Sequence, residues 1–158
     1  MTEKPTPEDR ALWQRRLAAQ ANNRAWTLAE ALRRSPEEDE EMLQAANAAM
    51  YFWKIVGDAG NHAHAALLLA HVYALLKIPE QATRYLSKSL PYFMSRDCAP
   101  SEQAIVHAIA SNVGSAEGNA EAHAKHYAQA LTFVAQVTDP QELAMLDATM
   151  RVIPVPNR

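Results

Sequence analysis

The chain has 158 residues, of which 49% are hydrophobic, and this is enough to build the core of one domain. Its net charge is −3, so we expect no nucleic-acid partner, because proteins of that class usually carry a basic surface. A single cysteine excludes an intrachain disulfide, and the longest apolar stretch, residues 63–76, is too short to span a bilayer. We therefore expect a cytoplasmic protein that has no membrane partner.

The composition favours helices. Alanine, the strongest helix former, accounts for roughly a fifth of the chain, and there are only 4 glycines. Valine, isoleucine and threonine never cluster with the alternating period of a strand. The composition therefore predicts an all-α fold without a sheet.

Helix start signals recur along the chain. Thr6-Pro7-Glu8-Asp9 is typical of an N-cap followed by proline and acidic residues in the first turn. The same pattern recurs at residues 35–38 and 139–142, with variants at Pro79 and Pro100. Together with the glycines at 57–60 and 114–118, these signals predict about seven helices, near residues 8–34, 36–56, 60–77, 79–95, 101–115, 119–137 and 140–151.

The two ends of the chain differ from its middle. Residues 1–7 are polar and contain two prolines, and they are interpreted as a flexible N-terminal tail. Residues 8–151 are expected to form a single helical domain. Residues 152–158 are interpreted as a C-terminal tail, because Pro154 and Pro156 cannot continue a helix.

The helices are expected to pair. Short loops make neighbouring helices pack antiparallel as hairpins. The second helices of successive pairs begin near residues 36, 79 and 119, a step of about forty residues that is typical of a helical repeat.

One hairpin resembles the tetratricopeptide repeat. The resemblance rests on Leu69-Ala70-His71-Val72-Tyr73, which is followed by Ala82, Leu86 and Ser89. Weaker matches occur at residues 28–32 and 127–130. The resemblance implies a short right-handed array of stacked hairpins, in which Ala70 and Ala82 face each other.

The same resemblance implies a function. Helical arrays of this family bind peptides on a concave face formed by the first helix of each hairpin. We therefore expect a non-enzymatic protein- or peptide-binding module, with no catalytic residue. The expected binding residues on the matched positions are Trp26, Glu30, His64, Leu67, His71 and Asn112. Leu67 could equally belong to the core.

The six histidines support an alternative function. A small-ligand or metal-binding bundle, and with it an enzyme, would be built on His64, His71, His123 and His126. Neither a Glu-x-x-His step nor a His-Glu-x-x-His motif occurs, so we expect no metal and no cofactor. A second alternative is a structural subunit of a homo-oligomer, such as a homodimer.

The chain contains three consecutive aromatic residues. Tyr51, Phe52 and Trp53 would span about 200° of a helix, which is wider than the apolar stripe of a surface helix. Either neighbouring helices enclose this segment, or one of its rings faces a partner.

Overall fold

The computed structural model describes residues 3–157, and these residues form seven α-helices and no strand. The prediction of an all-α fold with about seven helices is therefore confirmed. The helices are α1 (Pro7–Ala29), α2 (Pro36–Val56), α3 (Ala59–Leu75), α4 (Pro79–Met94), α5 (Pro100–Glu117), α6 (Ala120–Val134) and α7 (Pro140–Arg151).

The helix starts are stabilised by local hydrogen bonds. The Thr6 hydroxyl accepts a hydrogen bond from the backbone N–H of Asp9 at 3.0 Å, and the Asp9 carboxylate accepts one from the Thr6 backbone at 3.2 Å. Ser35 and Glu38 form the same reciprocal pair at the start of α2. These capping boxes provide hydrogen-bond acceptors for backbone N–H groups that have no partner within the helix. Because each box involves residues only three apart, the helix starts could be predicted from the sequence.

The prediction for the end of α1 was wrong by five residues. The helix ends at Ala29 rather than at residue 34, and residues 30–34 form the turn that leads to Ser35. Because Pro36 requires the preceding residue to be extended, Ser35 cannot continue the helix and instead serves as the N-cap of α2. The Arg34 side chain then turns back and donates hydrogen bonds to the carbonyls of Leu28 and Ala31.

The predicted break at residues 114–118 was also partly wrong. Gly114 lies inside α5, and only Gly118, at the end of that helix, has a left-handed backbone with φ of 73°. A Cβ atom on Gly114 would lie 2.8 Å from the backbone nitrogen of His123. Gly114 therefore allows α6 to approach α5 closely and does not interrupt the helix.

Consecutive helices pack antiparallel in three hairpins. In the first hairpin, Arg15 of α1 donates a hydrogen bond to the Val56 carbonyl of α2 at 2.7 Å, and Arg24 pairs with Glu41 at 2.7 Å. Residue numbers thus rise along one helix as they fall along the other. The same relation holds in the other two hairpins for the contacts Tyr73–Tyr85, His64–Phe93, His107–His126 and Ser111–His123.

The first helices of the hairpins lie side by side and run in the same direction. The rings of Trp26 and His71 join α1 to α3, and His71 also contacts Asn112 of α5. Ser101 of α5 contacts Glu142 of α7. Helices α2, α4 and α6 pack on the other side, α2 against α1 and α3, α4 against α3 and α5, and α6 against α5.

The core is centred on α3 and α5. Residues 65–72 of α3 are all buried, and Ala70 and Ala82 are fully buried, the latter in α4. Both alanines belong to one hydrophobic cluster, in which Leu67 of α3 and Leu146 of α7 also lie.

The chain ends are partly packed against the domain. Of the expected N-terminal tail 1–7, residues 1 and 2 lie outside the described residues, and Pro7 is the first residue of α1. Of the expected C-terminal tail, Ile153 is buried with Ala108 and Ala130, and the Pro154 carbonyl lies 2.7 Å from Nε2 of His123. Residues 152–154 therefore belong to the folded domain.

The outer end of the first hairpin is the least buried helical part of the described chain. We call residues 7–17 of α1 and 50–56 of α2 the exposed hairpin end, because none of these residues is buried. Of the three consecutive aromatic residues, Tyr51 is exposed, whereas Phe52 and Trp53 are half-buried.

Candidate functional site

A cavity of about 450 Å³ opens between the first helices α1, α3, α5 and α7, where Trp53 of α2 completes one wall. We call this cavity the groove. Three of the six expected binding residues line it, namely Trp26, His64 and Leu67. Trp53, one of the three consecutive aromatic residues, and Ile105 also line it, and the structure adds residues that the sequence did not indicate, which are Asn22, Asn61, Ser101, Glu102, Glu142 and Met145.

The floor of the groove is apolar. Leu67 and Ile105 are buried, and each still presents surface to the cavity. The rings of Trp26 and Trp53 are half-buried and form the side towards α1 and α2. Met145 of α7 stands exposed at the mouth. An apolar side chain that entered the groove would therefore exchange water for aliphatic and indole surface.

The rim of the groove carries two carboxylates. Oε1 of Glu102 lies 3.3 Å from Nε2 of His64, and Oε1 of Glu142 accepts a hydrogen bond from the Ser101 hydroxyl at 3.1 Å. The His64 imidazole is half-exposed and meets the Phe93 ring edge-on at 5.0 Å. The rim thus offers negative charge and hydrogen-bond acceptors beside an apolar floor.

His71 and Asn112 lie outside the groove, in the interior. Nδ1 of His71 is 3.1 Å from Nδ2 of Asn112, and each residue is only 1% exposed. Burial, together with a smaller contribution from the positive charge of Arg34, lowers the pKa of His71 to about 3, so the imidazole is neutral. Oδ1 of Asn112 has no hydrogen-bond partner within the described chain.

The expectation that His71 and Asn112 lie on an open face was therefore wrong, whereas Leu67 is buried in the core and also lines the groove. Helix α7 packs against α5, with Leu146 and Thr149 fully buried, and Leu67 shares a hydrophobic cluster with Leu146. The chain itself thus covers much of the face that the first helices were expected to present. Only Leu67 of these three residues retains contact with a cavity.

Glu30, the C-cap of α1, does not line the groove. Burial raises the pKa of its carboxyl group, and the positive charge of Arg151 at the end of α7 opposes that rise. The groove therefore combines Trp26, His64 and Leu67 only, and the binding role of all six residues stays a prediction.

The four histidines of the alternative site do not converge. His64 lies at the groove, His71 lies in the core, and His123 contacts the Pro154 carbonyl. His126 instead pairs with His107, with 3.0 Å between their Nδ1 atoms. This pair was not predicted from the sequence, although His107 and His126 lie on the two helices, α5 and α6, that are joined at Gly118. Among residues 3–157, no group of three or more His, Cys, Asp or Glu side chains could hold a metal ion.

Cys98 lies in the turn between α4 and α5. Its thiol donates a hydrogen bond to the Phe93 carbonyl at 3.4 Å. Burial raises the pKa of the thiol, and the nearby charge of Glu102 raises it further. A reactive cysteine requires the opposite shift, so this environment keeps the thiol in its protonated, weakly nucleophilic form.

Comparison of the chain with protein-family models, with curated proteins and with solved structures gave no match. The helices that the structure describes include none that is long and apolar enough to cross a membrane.

Proposed function

We propose that this protein is a non-enzymatic interaction module that binds a peptide segment of a partner protein in the groove. The observation that carries the proposal is the combination of an apolar floor, formed by Leu67 and Ile105, with the carboxylates of Glu102 and Glu142 on the rim. A segment with an aromatic or aliphatic anchor next to a lysine or arginine complements both features.

We further propose that the helices form an array like that of tetratricopeptide proteins. Three observations support this view: the parallel first helices, the second helices packed outside them, and the buried small residues Ala70 and Ala82. The second helices begin at residues 36, 79 and 120, close to the expected step of about forty. In this array α7 occupies part of the concave face, so the groove is the part that stays open to a ligand.

The exposed hairpin end would enlarge the contact with a protein partner. Trp13 is 60% exposed and Tyr51 is 63% exposed, and Leu12, Leu17 and Ile55 are exposed beside them. Arg15 ties the two helices together through the Val56 carbonyl, and its guanidinium also lies 5.9 Å from the centre of the Trp53 ring. Large apolar side chains held on a rigid surface are typical of protein interfaces.

The proposed location is the cytoplasm. The single thiol, Cys98, has no disulfide partner in the chain, which fits a reducing compartment.

The test is a selection of phage-displayed random peptides on the purified full-length chain. We expect the enriched peptides to share an apolar anchor next to a basic residue. Met145→Glu places a charge at the apolar mouth and should weaken their binding by about tenfold or more. Glu102→Gln removes a rim charge and should weaken it by roughly threefold to tenfold.

The matched control for Met145→Glu is Leu32→Glu, because Leu32 is an exposed leucine that does not line the groove. All three variants should keep the helical circular dichroism spectrum and melting temperature of the natural protein. The proposal fails if no peptide is enriched, or if Met145→Glu binds the enriched peptides as well as Leu32→Glu does. Loss of self-association in a Trp13→Ala variant would instead favour the homodimer.

A further inference from the structure

A second cavity, of about 460 Å³, lies on the opposite side of α5, between that helix, α4 and α6. It shares no residue with the groove, because α5 presents Val106, His107 and Ala110 to this cavity, and Ser101 and Ile105 to the groove. Its volume falls within the range of about 300–1,000 Å³ that is typical of small-molecule sites. We call it the histidine cavity.

Two histidines meet in the lining of the histidine cavity. The Nδ1 atoms of His107 and His126 are 3.0 Å apart, so one ring donates a proton to the lone pair of the other. The His107 ring also stacks on Phe133, with 5.5 Å between the ring centres, which holds its plane. The pair is thus anchored on its own helices and faces a common space.

The charged side chains that line the cavity are positive. Burial lowers the pKa of both His107 and His126. The neighbouring His126 and then Lys125 lower the pKa of His107 further, whereas at His126 the effect of Lys125 is opposed by a hydrogen bond with Gln129. Lys125 lines the cavity, as does Arg96, whose guanidinium lies over the Tyr92 ring. Among the described residues that line the cavity there is no aspartate or glutamate, although the chain as a whole is acidic. An anion placed here would therefore gain attraction from Lys125.

Two acidic residues lie close to Cys98, which lines the cavity. Asp97 and Glu102 both act on the Cys98 thiol. Glu102 points towards the other side of α5, where it contacts His64 of the groove. Neither acidic residue lines the histidine cavity.

A buried amide group also lines the cavity. Oε1 of Gln129 forms no hydrogen bond of ordinary geometry within the described chain, although the Gln129 side chain lies close enough to His126 to raise the pKa of that imidazole. Because rotation about the last bond of the side chain exchanges oxygen and NH2, Gln129 can also donate a hydrogen bond to an acid.

Most of the remaining lining is apolar. It consists of Leu86, Leu90 and Phe93 of α4, Val106 and Ala110 of α5, and the exposed Met94, and Cys98 and Gln103 complete it. A ligand that filled the whole cavity would consequently need an apolar body and one charged end.

We infer that the histidine cavity binds a small amphipathic carboxylic acid. The carboxylate accepts hydrogen bonds from Lys125 and from a ring N–H of the histidine pair, and an aliphatic or aromatic body lies against Leu86, Leu90 and Val106. The inference stands on observations separate from those that support the peptide groove, so either can fail without the other.

The test uses 4-phenylbutyrate as the probe and the uncharged 4-phenyl-1-butanol as its matched control, titrated into the full-length protein by calorimetry at neutral pH and low salt. We expect the acid to bind at least tenfold more tightly than the alcohol, because only the acid forms charge-assisted hydrogen bonds. In NMR spectra, the imidazole signals of His107 and His126 should shift on binding, and that of His64 should not.

Lys125→Gln should weaken binding of the acid by about tenfold and leave binding of the alcohol unchanged. Lys88→Gln is the matched control, because Lys88 lies over the Tyr85 ring and does not line the cavity. Both lysines are exposed, so both variants should fold, as circular dichroism would verify. Equal affinity for acid and alcohol, no binding of the acid, or equal effects of the two substitutions would each overturn the inference.

Discussion

The centre of the domain and the exposed hairpin end both contain large apolar residues, but these are buried in the centre and exposed at the hairpin end. Residues 65–72 of α3 form an unbroken buried run of alanine, leucine, histidine and valine. At the exposed hairpin end, Leu12, Trp13 and Leu17 are just as apolar, and all three are exposed. A large apolar side chain therefore contributes to stability in one region and is free for recognition in the other.

The difference follows from the number of neighbouring helices. Helix α3 contacts α1, α2, α4 and α5, so every side of it is covered and no single apolar stripe is needed. The first half of α1 has Arg10, Arg15 and Arg16 between its apolar residues, and its attachment to α2 includes the Arg15 hydrogen bond. Four predictions test this contrast, from the largest expected effect to the smallest.

Leu69→Ala should cost about 2–5 kcal/mol of unfolding free energy, because Leu69 is fully buried beside Met42 and Val72 and its removal leaves a cavity. Leu12→Ala should change the unfolding free energy by less than about 0.5 kcal/mol. Urea denaturation of both variants measures the difference. Similar losses in the two variants would show that the hairpin end is packed in solution.

His71 should make the stability depend on pH. Its pKa is about 3 in the folded chain and near 6.5 when unfolded, so between these values the unfolded chain binds the extra proton. The unfolding free energy therefore falls as the pH is lowered through this window, by about 2 kcal/mol between pH 8 and pH 5.

The control for that prediction is His71→Asn, which removes the titrating group. Its unfolding free energy, from urea denaturation at several pH values, should fall less steeply than that of the natural protein. His107 and His126, whose pKa values are also lowered, contribute equally to both proteins. Parallel pH profiles would show that His71 is accessible to protons in the folded state.

Gly114→Ala should lower the unfolding free energy by about 1 kcal/mol, although alanine is the better helix former by a similar amount. The new Cβ would lie 2.8 Å from the backbone nitrogen of His123, so α6 must move away, and overpacking of this kind costs about 1–3 kcal/mol. Ser115→Ala, one residue further along the helix, should change stability by less than about 0.5 kcal/mol. Thermal unfolding of the two variants compares them, and a stabilised Gly114→Ala variant would contradict the close approach.

The double substitution Trp13→Ala and Leu17→Ala should have the smallest effect on stability, less than about 0.5 kcal/mol, because both side chains are exposed. Thermal unfolding measures this change. The same variant should bind a partner protein that contains a selected peptide sequence more weakly than the natural chain, while its affinity for the isolated peptide stays the same. A loss of peptide affinity would place the exposed hairpin end inside the groove site.

The local features of the fold could be predicted from the sequence. The signals at Thr6, Ser35 and Asp139 involve residues at most three apart, and each places a helix start to within one residue. The alanine-rich composition likewise determined the fold class. Trp26, His64 and Leu67 were predicted as site residues, because the repeat pattern places them on first helices, and all three line the groove.

Tertiary structure alone decided which side chains meet. His71 and Asn112 are buried where α3 meets α5, through a contact between residues that are 41 apart in the sequence, and Ser101 of α5 contacts Glu142 of α7 across the same separation. The pairing of His107 with His126 depends on how closely α6 approaches α5 at Gly114. Such contacts arise from packing between helices, and packing depends on shape and burial in three dimensions rather than on the local signals that start and end a helix.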